Sequence, residues 1–384
     1  MAMLTADAAA TRLGIKVESL YAYVSRGLIE RHLGTDGRSR FDDRSVEALA
    51  RRGRPRISSR QSSLNLLIET HLTSIDSHHI YYRGHDALAL AGTHTFEQVA
   101  ELLWSGRLPL HDAPWAGTVV PMADGIGLTD SLAITTATLA AADPQRANLD
   151  PLAVAGAARH LIASMVASLP HGVTNFQGAT RQVTTGHVTT GHASQLTVSD
   201  SSSRHRRVRR SIAGTLWAAV GRQRAQPGMV EVVNAALVLL ADHELAASTL
   251  AARVAASTRA DPYSVVAAGL GTINGPLHGG ASLLVRDMLT EASASGANQA
   301  VAHALRSWGR VPGFGQKLYP DGDPRAVVLL RMLHQVAGKT RAMATVDAVL
   351  DVYQERSDHR PNIDFALAAL GLAAKLPPES GELI

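Results

Sequence analysis

Asn274-Gly275-Pro276-Leu277-His278-Gly279-Gly280-Ala281-Ser282 and, further on, Pro312-Gly313-Phe314-Gly315-Gln316-Lys317-Leu318-Tyr319-Pro320-Asp321-Gly322-Asp323-Pro324-Arg325-Ala326 carry most of the information in this chain. Each sets polar groups inside a turn rich in glycine and proline, where the backbone can come close to a ligand and offer free N–H groups. On a helix face the same polar residues would simply be solvated. Two stretches outside these loops belong with them. Ala241 to Thr249 places His243 between Asp242 and Glu244, and Pro361-Asn362-Ile363-Asp364-Phe365 is a turn that opens an apolar helix. Taken alone, Asp364 before that helix reads as an N-cap and His243 as a paired core or surface group.

The 384 residues suffice for two or three domains and a large core, and an apolar content of 46% with 18% charged residues is that of a globular protein. Only 4% of residues are aromatic, alanine and leucine abound and strand-like alternation is scarce, so the apolar mass is expected in closely packed small-residue helices. The predicted fold is mainly α. The absence of cysteine excludes a disulfide framework, a thiolate metal site and a cysteine nucleophile. No metal site is expected. The N-terminus shows no basic segment followed by an apolar run, and no stretch of ~20 uncharged apolar residues occurs, so neither a secretory signal nor a membrane span is expected and the location expected is cytoplasmic.

Residues 3–56 read as a unit of their own. Ala6 to Gly14 after Leu4-Thr5 is a short capped helix ending in the glycine, Lys16 to Ser25 a second one, Arg31 to Phe41 a hairpin with Thr35-Asp36-Gly37 at its tip, and Asp42-Asp43 caps a helix reaching Arg51. This order resembles the winged helix-turn-helix of MerR-type and excisionase-type DNA-binding domains. The resemblance implies duplex DNA as a partner, with phosphate contacts from Lys16, Ser19, Tyr21, Arg38, Arg40 and Arg44 and an arginine arm at 51–56. The alternative is an appended module that binds nothing. Residues 176–210 hold a tandem Val-Thr-Thr-Gly-His repeat, a serine run and the arginine run 204–210, and read as a mobile surface loop.

The two opening stretches, the Ala-Asp-His-Glu helix, Tyr82-Arg83-Gly84-His85, Thr95-Phe96-Glu97 and Pro-Asn-Ile-Asp-Phe all resemble citrate synthases, in order and in spacing, over roughly residues 65–384. The resemblance implies condensation of an acyl-CoA, acetyl-CoA or propionyl-CoA, with oxaloacetate in a homodimer that binds no permanent cofactor. Asp364 is then the base that takes the proton beside the thioester, and His278 the neutral donor to the enolate oxygen. His243 and Arg325 hold the oxoacid, Arg325 through its planar fork. The loops with Gly275, Gly279, Gly313, Gly315, Lys317 and Tyr319 wrap the CoA. The implied architecture is a DNA-binding-like domain over 1–56, a large helical domain over 63–279 plus 363–384, and a small one over 280–362 that closes on the site.

Two departures from the family pattern bear on catalysis. Gln316 stands where the family has a histidine that donates to the oxaloacetate carbonyl; glutamine donates but carries no proton, and losing one such donor costs on the order of 100-fold to 1000-fold in rate. The family chain also runs on past the Leu-Pro-Pro segment to two further substrate arginines, whereas this sequence ends at Leu383-Ile384, with Arg341, Arg356 and Arg360 as the nearest substitutes. Two functions follow: an acyl-CoA condensing enzyme with an appended module, or a non-condensing regulator that senses CoA or an oxoacid and binds DNA.

Overall fold

The computed structural model describes residues 3–13, 17, 20–21, 24, 29–34, 37, 39–43, 45–46, 70–76, 78–170, 211–221, 227–243, 245–275, 280–316 and 318–384. The chain divides into two compact units, Met1–Ile68 and Glu69–Ile384.

In the first unit, strand β1 (Met3–Thr5) leads into helix α1 (Ala6–Leu13), and strands β2 (His32–Leu33) and β3 (Ser39–Asp42) complete an antiparallel sheet of order β1-β3-β2. Thr5 caps α1 as expected, its Oγ1 accepting from Ala8 N at 3.2 Å. Residues 3–5 were not expected to pair, yet Met3 lies opposite Asp42 and Thr5 opposite Arg40. Among the described residues, Ala9, Ala10, Leu20, Ile29, Phe41 and Val46 form a buried core, with the alanines of α1 among them. Asp42 Oδ2 accepts from Ser45 N at 3.0 Å, the cap read from Asp42-Asp43. Of the residues expected to face DNA, Tyr21 donates to Ser39 Oγ at 3.3 Å and Arg40 lies on β3; Lys16, Ser19, Arg38, Arg44 and the arm at 51–56 lie outside the described residues.

The second unit opens with a three-stranded antiparallel sheet, β4 (Thr73–Ile75), β5 (Ile80–Tyr82) and β6 (His85–Asp86), in sequence order. Arg83 (φ 46°) and Gly84 (φ 85°) both take left-handed angles, as a two-residue hairpin of matching twist requires. The rest is helical. Asp86 caps α2 (Ala87–Thr93), and Thr95 with Gln98 forms a capping box on α3 (Phe96–Ser105). Helices α4 (Leu128–Ala142) and α5 (Pro151–Ala167) follow, then α6 (Ile212–Val220), capped by Ser211, and α7 (Met229–Leu239). Next come α8 (Ala247–Ser257), α9 (Pro262–Ile273), α10 (Ala281–Ser295), α11 (Ala297–Trp308), α12 (Pro324–Ala337), α13 (Arg341–Gln354), α14 (Ile363–Ala373) and the short α15 (Ser380–Leu383). The loop expected at 176–210 lies outside the described residues.

Two helices lie at the centre of the core. α7 and α14 are apolar on nearly every face, and α12 packs on both, with α2 on α7 and α10 on α14. Alanine and glycine along α14 make that packing close: a Cβ at Gly371 would stand 2.6 Å from Arg286 Nη1. Among the described residues, no helix is long and apolar enough to cross a membrane.

Candidate functional site

A cavity of about 580 Å³ in the second unit is lined by His243 beyond α7, Gln316, Arg325 at the start of α12, Asp364 at the start of α14, and Glu382 of α15. Residues distant in sequence meet there because the chain is bridged just ahead of α14. Phe314 pairs with Pro361, Gly315 N donates to Arg360 O at 2.9 Å, and Asn362 N donates to Gly313 O at 2.9 Å. Gly313 (φ 83°) and Gly315 (φ 78°) make the bridge possible. A Cβ on Gly313 would meet Val285 Cγ2 at 2.8 Å and Phe365 Cβ at 3.0 Å, so this glycine is required by close packing. The bridge fixes Gln316 relative to Asp364. The cap of α14 is Asn362, whose Oδ1 accepts from Phe365 N at 3.3 Å. Asp364 therefore is not the cap that its position allows; it sits in the first helical turn and faces the cavity.

Arg325 is 3% exposed and is held by Asp323, itself 1% exposed. Asp323 Oδ1 accepts from Arg325 N at 3.1 Å and from Nε at 3.0 Å; Oδ2 accepts from Nη2 at 2.9 Å and from Ile363 N at 3.0 Å. One carboxylate thus aims the guanidinium and ties it to the helix that carries Asp364. Nε and one Nη2 hydrogen are taken, which leaves part of the guanidinium fork for a ligand. The ring of Tyr319 lies 5.7 Å from the guanidinium carbon.

His243 Nε2 lies 2.9 Å from Tyr319 Oη. Burial is the main reason that its pKa is pushed down to about 4, with the Arg325 charge adding to the shift, so the imidazole is neutral at ordinary pH. Its neighbour Asp242 accepts a hydrogen bond from Thr73 Oγ1, and burial raises the Asp242 pKa. Glu382, on the other side of the cavity, is also raised, by burial first and by Glu379 second.

The structure brings together His243, Gln316, Arg325 and Asp364. Tyr319, expected on a CoA loop, is turned inward at 1% exposure and meets His243. Gly275 closes the turn after α9, its N–H donating to Thr272 O at 3.2 Å. His278, Gly279 and Lys317 lie outside the described residues. Asp323 was missed because an Asp-Pro pair before a helix already has an explanation as a cap, which it also is. The contribution of Thr73 left no signal in the sequence. Among the described residues, no group of three or more acidic or histidine side chains is placed to hold a metal ion. A neutral imidazole, an anchored guanidinium, an amide and a carboxylate around one cavity can hold a small oxoacid and take up a proton.

The family model described as "Citrate synthase, C-terminal domain" matches residues 65–383. Citrate synthase 2 of Bacillus subtilis is 38% identical over 148 residues, which are 38% of this chain and 40% of that protein, so the match spans less than half of that relative. Citrate synthase of Haloferax volcanii is 31% identical over 320 residues, 79% of this chain and 82% of that protein. Among solved structures, a ternary complex of carboxymethyl coenzyme A and oxaloacetate with the citrate synthase of Thermoplasma acidophilum shares the fold, with TM-score 0.59 and 19% identity over 83% of this chain and 85% of that one. The extent of the family match and the long alignment with the Haloferax protein agree with the order of motifs around the cavity: this chain belongs to the citrate synthase family.

Proposed function

We propose that this chain condenses an acyl-CoA, acetyl-CoA or propionyl-CoA, with oxaloacetate, forming citrate or 2-methylcitrate and releasing the CoA thiol. The observation that carries the reading is the single cavity in which His243, Gln316, Arg325 and Asp364 converge from four separate segments. Asp364 takes a proton from the carbon beside the thioester, and His278 donates to the enolate oxygen. The enolate carbon attacks the oxaloacetate carbonyl, and a water hydrolyses the thioester. Arg325, held by Asp323, clamps an oxoacid carboxylate, and the neutral His243 donates to the same substrate. Gln316 donates to the carbonyl without supplying a proton, which makes the condensation slow. The glycine loops at 275–280 and 313–322 wrap the CoA, residues 280–362 close over the site, and no permanent cofactor takes part.

The working form is a homodimer in the cytoplasm. Among its described residues α8 buries none and α9 only Tyr263, although both helices are rich in Val, Leu and Ala. A second copy is the occupant expected for such faces. Residues 3–56 are read as a winged helix-turn-helix that contacts duplex DNA, supported by the antiparallel wing β2–β3 that carries Arg40. The second function, a regulator that senses the ligand without condensing it, is favoured by Gln316. A thiol-release assay with oxaloacetate and either acyl-CoA tests the reading, and Asp364→Asn should abolish release while leaving oxaloacetate binding within a few fold. Unchanged turnover in that variant refutes the base assignment; ligand binding without any thiol release in the parent chain selects the regulator.

A further inference from the structure

We propose that the β4–β5 pair is the clamp that sets the position of His243, with Thr73 and Tyr82 as its positioning residues; this rests on the reading of His243 as an oxoacid ligand. Thr73 and Tyr82 are register partners across the two strands, so their side chains stand on the same face of the pair. Tyr82 is fully buried and its hydroxyl donates to the last-turn carbonyls of α7, Val238 O at 3.0 Å and Leu239 O at 3.3 Å. Thr73 Oγ1 donates to Asp242 Oδ2. One cross-strand pair therefore grips the chain at 238–239 and again at 242, immediately ahead of His243.

The helix that follows, α8, buries none of its described side chains and packs chiefly on α9. Its Arg253 reaches back, Nη2 donating to Thr70 Oγ1 at 3.3 Å, close to the start of β4, and its charge acts on Asp242. The sheet itself is anchored: Arg83 at the β5–β6 turn donates through Nε to Leu103 O of α3 at 2.8 Å. Tyr319 meets His243 on the cavity side. A hydrogen bond to one oxygen of a small substrate tolerates displacements of only about 0.5 Å, so these two hydroxyls govern how well His243 serves it.

The test uses the full chain with Tyr82→Phe and Thr73→Val, which remove each hydroxyl and keep the shape, and Thr73→Ser, which restores one. The expected result for the first two is a rise of about tenfold in the KM for oxaloacetate. The KM for acyl-CoA should be unchanged and kcat should stay within a few fold, with Thr73→Ser near the parent. Alongside, NMR titration of the His243 ring, assigned by its loss in His243→Gln, should show the midpoint moving up from about 4 as water reaches the imidazole. That titration needs no turnover. A parent chain without activity therefore refutes the condensation reading, while the clamp still stands or falls by the ring. Unchanged oxaloacetate KM and His243 midpoint in folded variants would overturn the proposal, as would equal losses for both substrates.

Discussion

Replacing Asp323 with Asn probes the link between the guanidinium and the helix of the base. The carboxylate accepts four hydrogen bonds, three from Arg325 and one from Ile363 N. An amide offers one acceptor and one donor. Whichever way it turns, the amide NH2 faces either Arg325 N and Nε or Arg325 Nη2 and Ile363 N, and the arginine is left buried without its counter-charge. Breaking a buried pair from one side costs about 3–5 kcal/mol. The Tyr319 ring already faces the guanidinium in the parent and offsets none of this. The expectation is a loss of about 3–5 kcal/mol, read as a fall in the urea midpoint at unchanged slope. Arg325→Met in the same chain removes the stranded charge, so the double variant should be more stable than the sum of the two single losses by about 2 kcal/mol. A loss below about 1 kcal/mol for Asp323→Asn, or strict additivity in the cycle, would refute the account of one shared carboxylate.

His243 gives a pH dependence whose sign is set by its depressed pKa. Between about 4 and the ordinary value of 6.5 the unfolded chain binds the proton and the folded one does not, so the contribution is complete above that window and falls as pH drops through it, by up to about 1.4 kcal/mol per pH unit. Subtracting the urea-unfolding profile of His243→Gln should isolate that slope, and identical profiles would mean that the ring is already solvated. Gly313→Ala should destabilise by about 2–4 kcal/mol in urea unfolding, from the left-handed backbone and from the methyl set against Val285 and Phe365. Gln316→His should raise the rate of thiol release if the amide limits condensation; no change in rate or in oxaloacetate KM would remove Gln316 from the reacting centre.

The helices were legible where local chemistry repeats. The apolar run after the Pro361-Asn362 turn announced a helix in the sequence; the capping box of Thr95 with Gln98 and the Asp-Pro starts at 150, 261 and 323 are signals of the same kind that the structure brings out. The three-residue strands β1 and β4 were not legible, because they are too short to show alternation, and β1 exists only through a partner about 35–40 residues away. Four of the residues named from motifs, His243, Gln316, Arg325 and Asp364, line one cavity. Asp323 was read only as part of a loop, since a carboxylate that caps a helix gives no outward sign that it also holds an arginine. Tyr319 was assigned outward to a ligand because the sequence of a glycine-rich loop cannot say which of its side chains turn in.

The two walls of the cavity differ in how firmly they are built. Asp364 rides on α14, most of whose side chains are buried, whereas the chain beyond His243 runs into α8, where none of the described ones is. Amide hydrogens of α14 should exchange with solvent only on global unfolding, and those of α8 through cheap local openings. α14 is then a fixed reference, and α8, beyond the gripped segment, opens against it. If protection of α8 rises with protein concentration while that of α14 stays constant, the missing half of the scaffold is supplied from outside the chain.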